Sequence, residues 1–238
     1  MARDLIWKAI ADSLAGEIAG GHYELGDKLP TEAALAARFG VNRHTVRHAL
    51  AALAEAGVVH ARQGSGAFVA ARPTDYALGR RVRFHQNIAA SGRTPSRRIS
   101  LLESRACNLR EAEALGLAVG ALVQVIEGVS LADGMVLAAF RSVFPAVRFP
   151  DLLARMAETQ SVTAALAGCG VTDCTRASTR ITAKLATPVQ ALTLQVAQGA
   201  AILRSVAMNV DAAGVAVEYG TTWFAGDRVT LTLAGDKG

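Results

Sequence analysis

Cysteine is scarce in this chain, three in 238 residues. Cys107, Cys169 and Cys174 form no metal-ligand spacing, and an odd count leaves no complete disulfide framework, so a zinc module and a disulfide-stapled scaffold are both excluded. Reduced thiols in a cytoplasmic protein are the expectation. Long hydrophobic runs are missing too, since nothing approaches the roughly 18 uninterrupted apolar residues of a membrane helix. The N-terminus carries Asp4, Asp12 and Glu17 within an amphipathic pattern (Trp7, Ile10, Leu14 and Ile18 on one side), which is not how a signal peptide reads. There is no nucleophile–base signature and no phosphate-cradling glycine loop. Cys174 with His85 is the one imaginable pair, and nothing in the sequence places them together. No metal and no cofactor are expected.

What is present is ample apolar material, 51% of residues, and a net charge of +5. The length suits two modest domains. The charge is unevenly spread. Residues 80–110 hold arginines at 80, 81, 83, 93, 97, 98, 105 and 110 against one acid, Glu103, whereas 111–238 is slightly acidic. Two readings of that run stay open: a solvated linker and strand face, or a source of phosphate contacts and of attraction for an anionic ligand.

The segment from Lys28 to Val69 carries the clearest local order. Thr31 is placed to cap a helix whose first turn holds Glu32, and Phe39-Gly40 ends it, glycine tolerating the left-handed conformation of a helix terminus. Asn42 then caps a second helix running to Gly57. At about 100° per residue, Val46, Ala49, Leu50 and Leu53 share one arc and predict core, while Arg43, His44, Arg47, His48 and Ala51 fall on another. Residues 58–69 read as a β-hairpin with a glycine tip, Gly64-Ser65-Gly66, able to approach a phosphate or a minor groove closely. A short helix, a turn, a helix with a basic outer face and a glycine-tipped hairpin together make a winged helix-turn-helix, which binds double-stranded DNA. Arginine on that face can pair with guanine through two hydrogen bonds at once.

Residues 5–70 resemble the DNA-binding domain of the GntR-type bacterial repressors through Leu29-Pro30, Glu32, Leu35-Ala36, Phe39-Gly40-Val41, Arg43, Thr45-Val46-Arg47, Leu50, Leu53, Gly57 and Arg62-Gln63-Gly64-Ser65-Gly66-Ala67-Phe68-Val69. The resemblance implies major-groove readout by Arg43, His44 and Arg47, with His48 on the same face. It also implies phosphate contacts from Arg38 and Thr45, places Thr31 and Asn42 among the DNA-binding residues, and implies a wing (Arg62, Gly64, Ser65, Gly66) that enters the minor groove. Thr31 stands where serine is commoner, a change that keeps the cap.

Arg72-Pro73-Thr74 marks a boundary. Residues 1–72 are assigned to the DNA-binding head, 73–82 to a linker and 83–238 to a second domain. Within the latter a pattern occurs twice at an offset of about 79 residues. A strand (98–106) leads to a helix capped by Asn108 with Glu111, then strands 122–131 and 136–144 about an Asp133-Gly134 turn. The second pass has a strand (176–185), a helix capped by Thr187 with Pro188 and Gln190, and strands 202–210 and 215–224, with 229–233 finishing. Two short helices are expected near 149–157 and 161–167. This predicts an α+β domain with an antiparallel sheet, helices on one side, an internal pseudo-repeat, and a ligand cleft between its halves.

Residues 80–235 resemble the effector-binding (UTRA-like) domain of the HutC subgroup of GntR regulators, whose fold is similar to chorismate lyase. The cues are Arg83-Phe84, Gly92 with Pro95, Leu115-Gly116-Leu117, Gly120, Asp133-Gly134, Glu218-Tyr219 and Asp227-Arg228. Ala36-Ala37-Arg38-Phe39, Val41-Asn42-Arg43-His44-Thr45, Asp75-Tyr76, Gln86-Asn87 and Thr179-Arg180-Ile181 look like the phosphonate-utilisation repressors of that subgroup.

Several ionisable residues stand in apolar strands: Arg141 (beside Ser142), Arg180, Arg204 and Glu218 (beside Tyr219). Burying such a group alone is costly, so each must face water, a partner or a ligand. One reading is an Arg–Glu pair across the sheet. The other is an anion pocket of three guanidiniums with Glu218 and Tyr219, joined by His85, Gln86 and Asn87 just before a helix at 88–91.

The combined expectation is a cytoplasmic homodimeric repressor that binds a palindromic operator and responds to a small anionic effector, a phosphonate, phosphate or sugar phosphate. The rivals are a lyase-like enzyme with a DNA-binding appendage and a constitutive DNA-binding dimer without an effector.

Overall fold

The computed structural model describes residues 2–24, 26–62, 66–69, 73–81 and 84–233, with the side chains of 2–5 and 61–62 excepted. The chain divides into two compact units, Met1–Arg72 and Pro73–Gly238.

In the first unit, α1 (Ala2–Ala19), α2 (Glu32–Phe39) and α3 (Arg43–Glu55) precede a hairpin of β1 (Val59–Arg62) and β2 (Gly66–Val69). The helix ends are fixed by the residues suited to them. Thr31 Oγ1 accepts from the amide of Ala34, Asn42 Oδ1 accepts from the amide of Thr45, and Gly40 adopts φ 64° at the end of α2. Ile10, Leu14, Leu35, Val46, Ala49, Leu53, Val59 and Val69 form one core. Gly64 and Ser65, the expected wing tip, and the side chain of Arg62 lie outside the described residues.

The second unit is built on a six-stranded antiparallel sheet. Its strands are β4 (Pro95–Ala106), β5 (Leu122–Ala132), β6 (Met135–Pro145), β7 (Thr175–Leu185), β8 (Ala201–Val210) and β9 (Ala216–Ala225), in the order β4-β5-β6-β9-β8-β7. Asp133 and Gly134 both take positive φ, 49° and 76°, as a tight hairpin between β5 and β6 requires. The helices α5 (Leu109–Leu115) and α8 (Pro188–Leu194) begin with complete capping boxes, Asn108 with Glu111 and Thr187 with Gln190.

Helices cover both faces of this sheet, which corrects the expectation of one. Consecutive strand residues point to opposite sides. Val123, Val125 and Val143 pack with α5, and Val129, Ile202 and Trp223 with α8. Their sequence neighbours Ile126, Phe140 and Phe144 pack with α6 (Leu152–Thr159) and α7 (Val162–Gly168). Near-continuous apolar runs in β5 and β6 are what a sheet covered on both sides demands.

Residues 73–82, assigned above to a linker, contain a strand. β3 (Thr74–Ala77) pairs in parallel with β10 (Val229–Thr232), and Tyr76 is buried with Phe84, Ile88 and Phe224. Arg93 ties this pair to the sheet, donating to Asp133, Thr74 Oγ1 and the Ala132 carbonyl. Arg228, 7% exposed, donates to the carbonyls of Val136, Leu194 and Gln195. A cation at the C-terminal end of α8 also suits the helix dipole.

Candidate DNA-binding surface and effector cavity

On the first unit, Arg43, His44, Arg47 and His48 are exposed along α3 while Val46 and Ala49 are buried, the division expected from the helical wheel. Three other expected contacts are engaged at the starts of α2 and α3. Thr31 and Asn42 are caps, and the Thr45 hydroxyl donates to Asn42 Oδ1 at 3.0 Å. The His48 ring stacks on Trp7 of α1, centroids 4.4 Å apart, so it is committed to a neighbouring helix. Arg38 and Arg47 are forked onto carboxylates. Arg38 pairs with Glu17, and Arg47 donates through Nε and Nη2 to Glu32 at 3.0 and 2.7 Å. Those bonds pull the carboxyls of Glu17 and Glu32 below their ordinary pKa. Gly66, beside the wing tip, takes φ 101°, which its lack of a side chain permits.

The ionisable strand residues of the second unit do not converge as expected. Arg141 lies directly across from Glu127, and its Nε donates to Glu127 Oε1 at 2.6 Å, the cross-sheet pair weighed against the pocket. Arg141, Arg204 and Tyr219 line an open trough of about 410 Å³ between α5 and α8, whereas Arg180 is exposed on edge strand β7. Glu218 and Ser142 point to the other face, because alternation separates Glu218 from Tyr219 and Ser142 from Arg141. Phe84, His85, Gln86 and Asn87 are the first turn of α4 (Phe84–Ala90) rather than a lead-in to a later helix. His85 and Gln86 are exposed, and Asn87 donates to the Ala77 carbonyl. Burial and the Arg97 charge lower the pKa of His85.

A different group of arginines meets Glu218. On the α6/α7 face a cavity of about 120 Å³ is walled by Arg80, Arg97, Arg176, Ser142, Asn209 and Glu218, with Tyr76, Phe84 and Phe140. The Glu218 carboxylate accepts from the Ser142 hydroxyl at 2.5 Å and from Asn209 Nδ2 at 2.7 Å. Arg97 lies between two rings, 5.5 Å from the Phe84 centroid and 4.9 Å from that of Phe140. The Nε atoms of Arg97 and Arg176 are buried and make no hydrogen bond among the described residues. Burial lowers the pKa of Arg97, against the opposing pull of Tyr76 and Glu218, yet arginine stays protonated in proteins. The cavity thus has the buried Nε donors of two half-buried arginines, unused among the described residues, on one side and a carboxylate held by neutral donors on the other.

Two β-bulges aim these arginines. In β4 the pairing shifts between Ile99 and Leu101, so Arg97 shares the cavity face although Glu103 and Arg105 lie on the α5 face. In β7 it shifts between Arg176 and Ser178, which puts Arg176 in the cavity and Arg180 on the opposite side. Re-aiming a side chain is the usual work of a bulge. Gly128 sits opposite the first one, where an added Cβ would lie 2.4 Å from the Arg98 carbonyl oxygen. Gly128→Ala is therefore expected to cost about 1–3 kcal/mol in urea unfolding. An unchanged midpoint would show that the bulge yields freely.

The basic run 80–110 supplied two of the missed arginines, and β7 and β8 supplied Arg176 and Asn209. Arg80 and Arg97 line the cavity, while Arg81 pairs with Asp173 and Arg105 with Glu111. The signal in the sequence was the run itself. Which of its arginines face inward depends on the bulges.

With a winged helix-turn-helix head and a separate sheet domain in place, the class is a transcriptional regulator with a DNA-binding and an effector domain. Residues 7–69 match the gntR family of bacterial regulatory proteins and residues 90–230 match the UTRA domain, so the chain belongs to the UTRA-bearing branch of that family. It is 38% identical over 229 residues to an uncharacterised HTH-type transcriptional regulator of Rhizobium meliloti, covering 96% of this chain and 94% of that one. It is 46% identical over 99 residues to the probable transcriptional regulator PhnF of Escherichia coli, 42% of this chain and 41% of the relative. The crystal structure of PhnF from Mycobacterium smegmatis superposes with a TM-score of 0.64 at 26% identity, covering 95% of this chain and 97% of that one. These relatives are regulators, and so is this chain. The reading as a lyase-like enzyme is set aside on that ground. No described helix is long and apolar enough to cross a membrane.

Proposed function

We propose that this regulator is a cytoplasmic homodimeric repressor of a phosphonate or related catabolic operon, and that a small anion bound in the Arg97 cavity changes its affinity for DNA. The observation that carries this reading is that two half-buried arginines, Arg97 and Arg176, hold buried Nε atoms with no partner among the described residues. Leaving a buried charged donor unused costs free energy, and a phosphonate or phosphate oxygen would recover it. Arg80, Arg97 and Arg176 bind the anionic group, and Ser142, Asn209 and Glu218 meet the rest of the ligand. In the head, Arg43, His44 and Arg47 read bases, Arg38 contacts phosphate, and the wing around Gly64 docks in the minor groove. The phosphonate class follows from the resemblance of the motifs around Arg38, Arg43 and Arg180 to phosphonate-utilisation repressors.

A ligand shifts DNA affinity only by binding the two states unequally. A dimer reads two half-sites about one helical turn apart. Selection from a random duplex pool with the full-length protein is expected to enrich an inverted repeat. Enrichment of an asymmetric site, or of none, would overturn the dimeric reading.

A further inference from the structure

We infer that Glu32 is a specificity-determining positioning residue: through its fork onto Arg47 it presents that guanidinium for base readout and withholds its charge from indiscriminate phosphate contact. The inference rests on the proposed role of Arg47 in reading DNA. Glu32 opens α2 and Arg47 lies in the second turn of α3, so the fork spans the two helices of the motif. Glu32 Oε1 accepts from Arg47 Nε and Oε2 from Nη2, which uses one edge of the guanidinium and leaves Nη1 outward. Both side chains are substantially exposed, 62% for Arg47 and 36% for Glu32. An exposed ion pair contributes little to folding, and the benefit of a carboxylate in the first turn of α2 does not depend on where its side chain points, so neither requires that it be forked onto the outward face of a basic helix.

Its effect on DNA binding is larger. Non-specific affinity comes almost wholly from cations that neutralise phosphates and release counterions. An arginine already neutralised by Glu32 adds little to that term. A guanine edge offers two acceptors in the geometry of the guanidinium fork, and can draw Arg47 into readout where a lone phosphate gains less. Specificity is a difference of two affinities, and suppressing the wrong complex widens it. Arg43 and His44 are close enough to Glu32 to depress its pKa, yet neither takes its hydrogen bonds, which go to Arg47. The carboxylate is thus assigned to one arginine rather than spread over the face.

The test is a double-mutant cycle on the full-length protein, read as the ratio of dissociation constants for its selected operator and for a scrambled duplex, across a salt series. In Glu32→Gln the non-specific affinity is expected to rise about 3–10-fold, its salt slope to steepen by up to about 1, and the specificity ratio to fall about 10-fold. In the Arg47→Ala background Glu32→Gln should leave the ratio unchanged, because the carboxylate acts through Arg47. A normal specificity ratio in Glu32→Gln, with Arg47→Ala still losing discrimination, overturns the inference and leaves the readout by Arg47 standing. Equal effects of Glu32→Gln in both backgrounds also overturn it, as a general charge effect. Full discrimination in Arg47→Ala alone removes the underlying reading instead. Thermal melting of each variant separates misfolding from these outcomes, and Glu32→Asp, which keeps the charge, is expected to retain most of the ratio.

Discussion

Replacing Arg97 with methionine is expected to abolish the response to effector while leaving the protein folded and bound to its operator. The guanidinium sits between Phe84 and Phe140 with a buried Nε that makes no hydrogen bond among the described residues. In the ligand-free protein that arrangement is unfavourable, with the ring faces offsetting part of the desolvation. Methionine fills a similar volume without a charge, so the melting temperature of the free protein should hold or rise. Ligand affinity should fall by about 2–5 kcal/mol, the usual result of removing one partner from a desolvated charged contact. Stability and function move in opposite directions, as expected where a site stores unused binding capacity. Titration calorimetry with methylphosphonate and inorganic phosphate, beside melting curves, checks both signs. A lower melting temperature with undiminished ligand affinity would make Arg97 a structural residue. Arg141→Gln is the control, because its ion pair with Glu127 lies on the other face and is half exposed.

The second large effect belongs to the head. Arg47→Ala and Arg43→Ala are each expected to cost about 1–3 kcal/mol on the selected operator and to relax preference at one base-pair position. Arg38→Ala should instead weaken operator and scrambled duplex alike and flatten the salt dependence, since a phosphate contact carries no sequence information. Competition binding on a panel of single-base operator variants measures both. Equal loss of discrimination from all three substitutions would contradict this division. Gly64→Val, at the expected wing tip, should reduce operator affinity in a gel-shift assay without unfolding the head, because a β-branched side chain there blocks close approach to the groove.

Local chemistry was the legible part of this chain. Thr31, Asn42, Asn108 and Thr187 each cap the helix that follows them, and Asp133-Gly134 turns the hairpin it marks. Those outcomes depend on residues within one turn of each other, and the wheel of α3 needs nothing beyond its own period. The effector site was not legible because it depends on register. Arg176 and Arg180 are four residues apart in one strand, and strict alternation would place them on the same face. The bulge before Ser178 separates them. The same device in β4 turns Arg97 away from Arg105. Glu218 and Ser142 were found from their place in apolar strands, but their arginine company was misassigned, since Arg141 had a carboxylate directly opposite on β5. The paired state of Arg38 and Arg47 was equally hidden. Their partners stand 21 and 15 residues away, and only packing brings them together.

Control of the head by the Arg97 cavity is the proposal on which the rest depends. It is tested most directly by fluorescence anisotropy of the full-length protein on its selected operator, titrated with methylphosphonate, inorganic phosphate and a sugar phosphate, for the natural chain and for Arg97→Met. At least one of these anions is expected to change the operator dissociation constant of the natural chain by about fivefold or more, within the usual range of coupling energies. Arg97→Met is expected to bind the same operator with no such change. Identical shifts in both proteins, or an operator affinity that no anion alters in the natural chain, would contradict it.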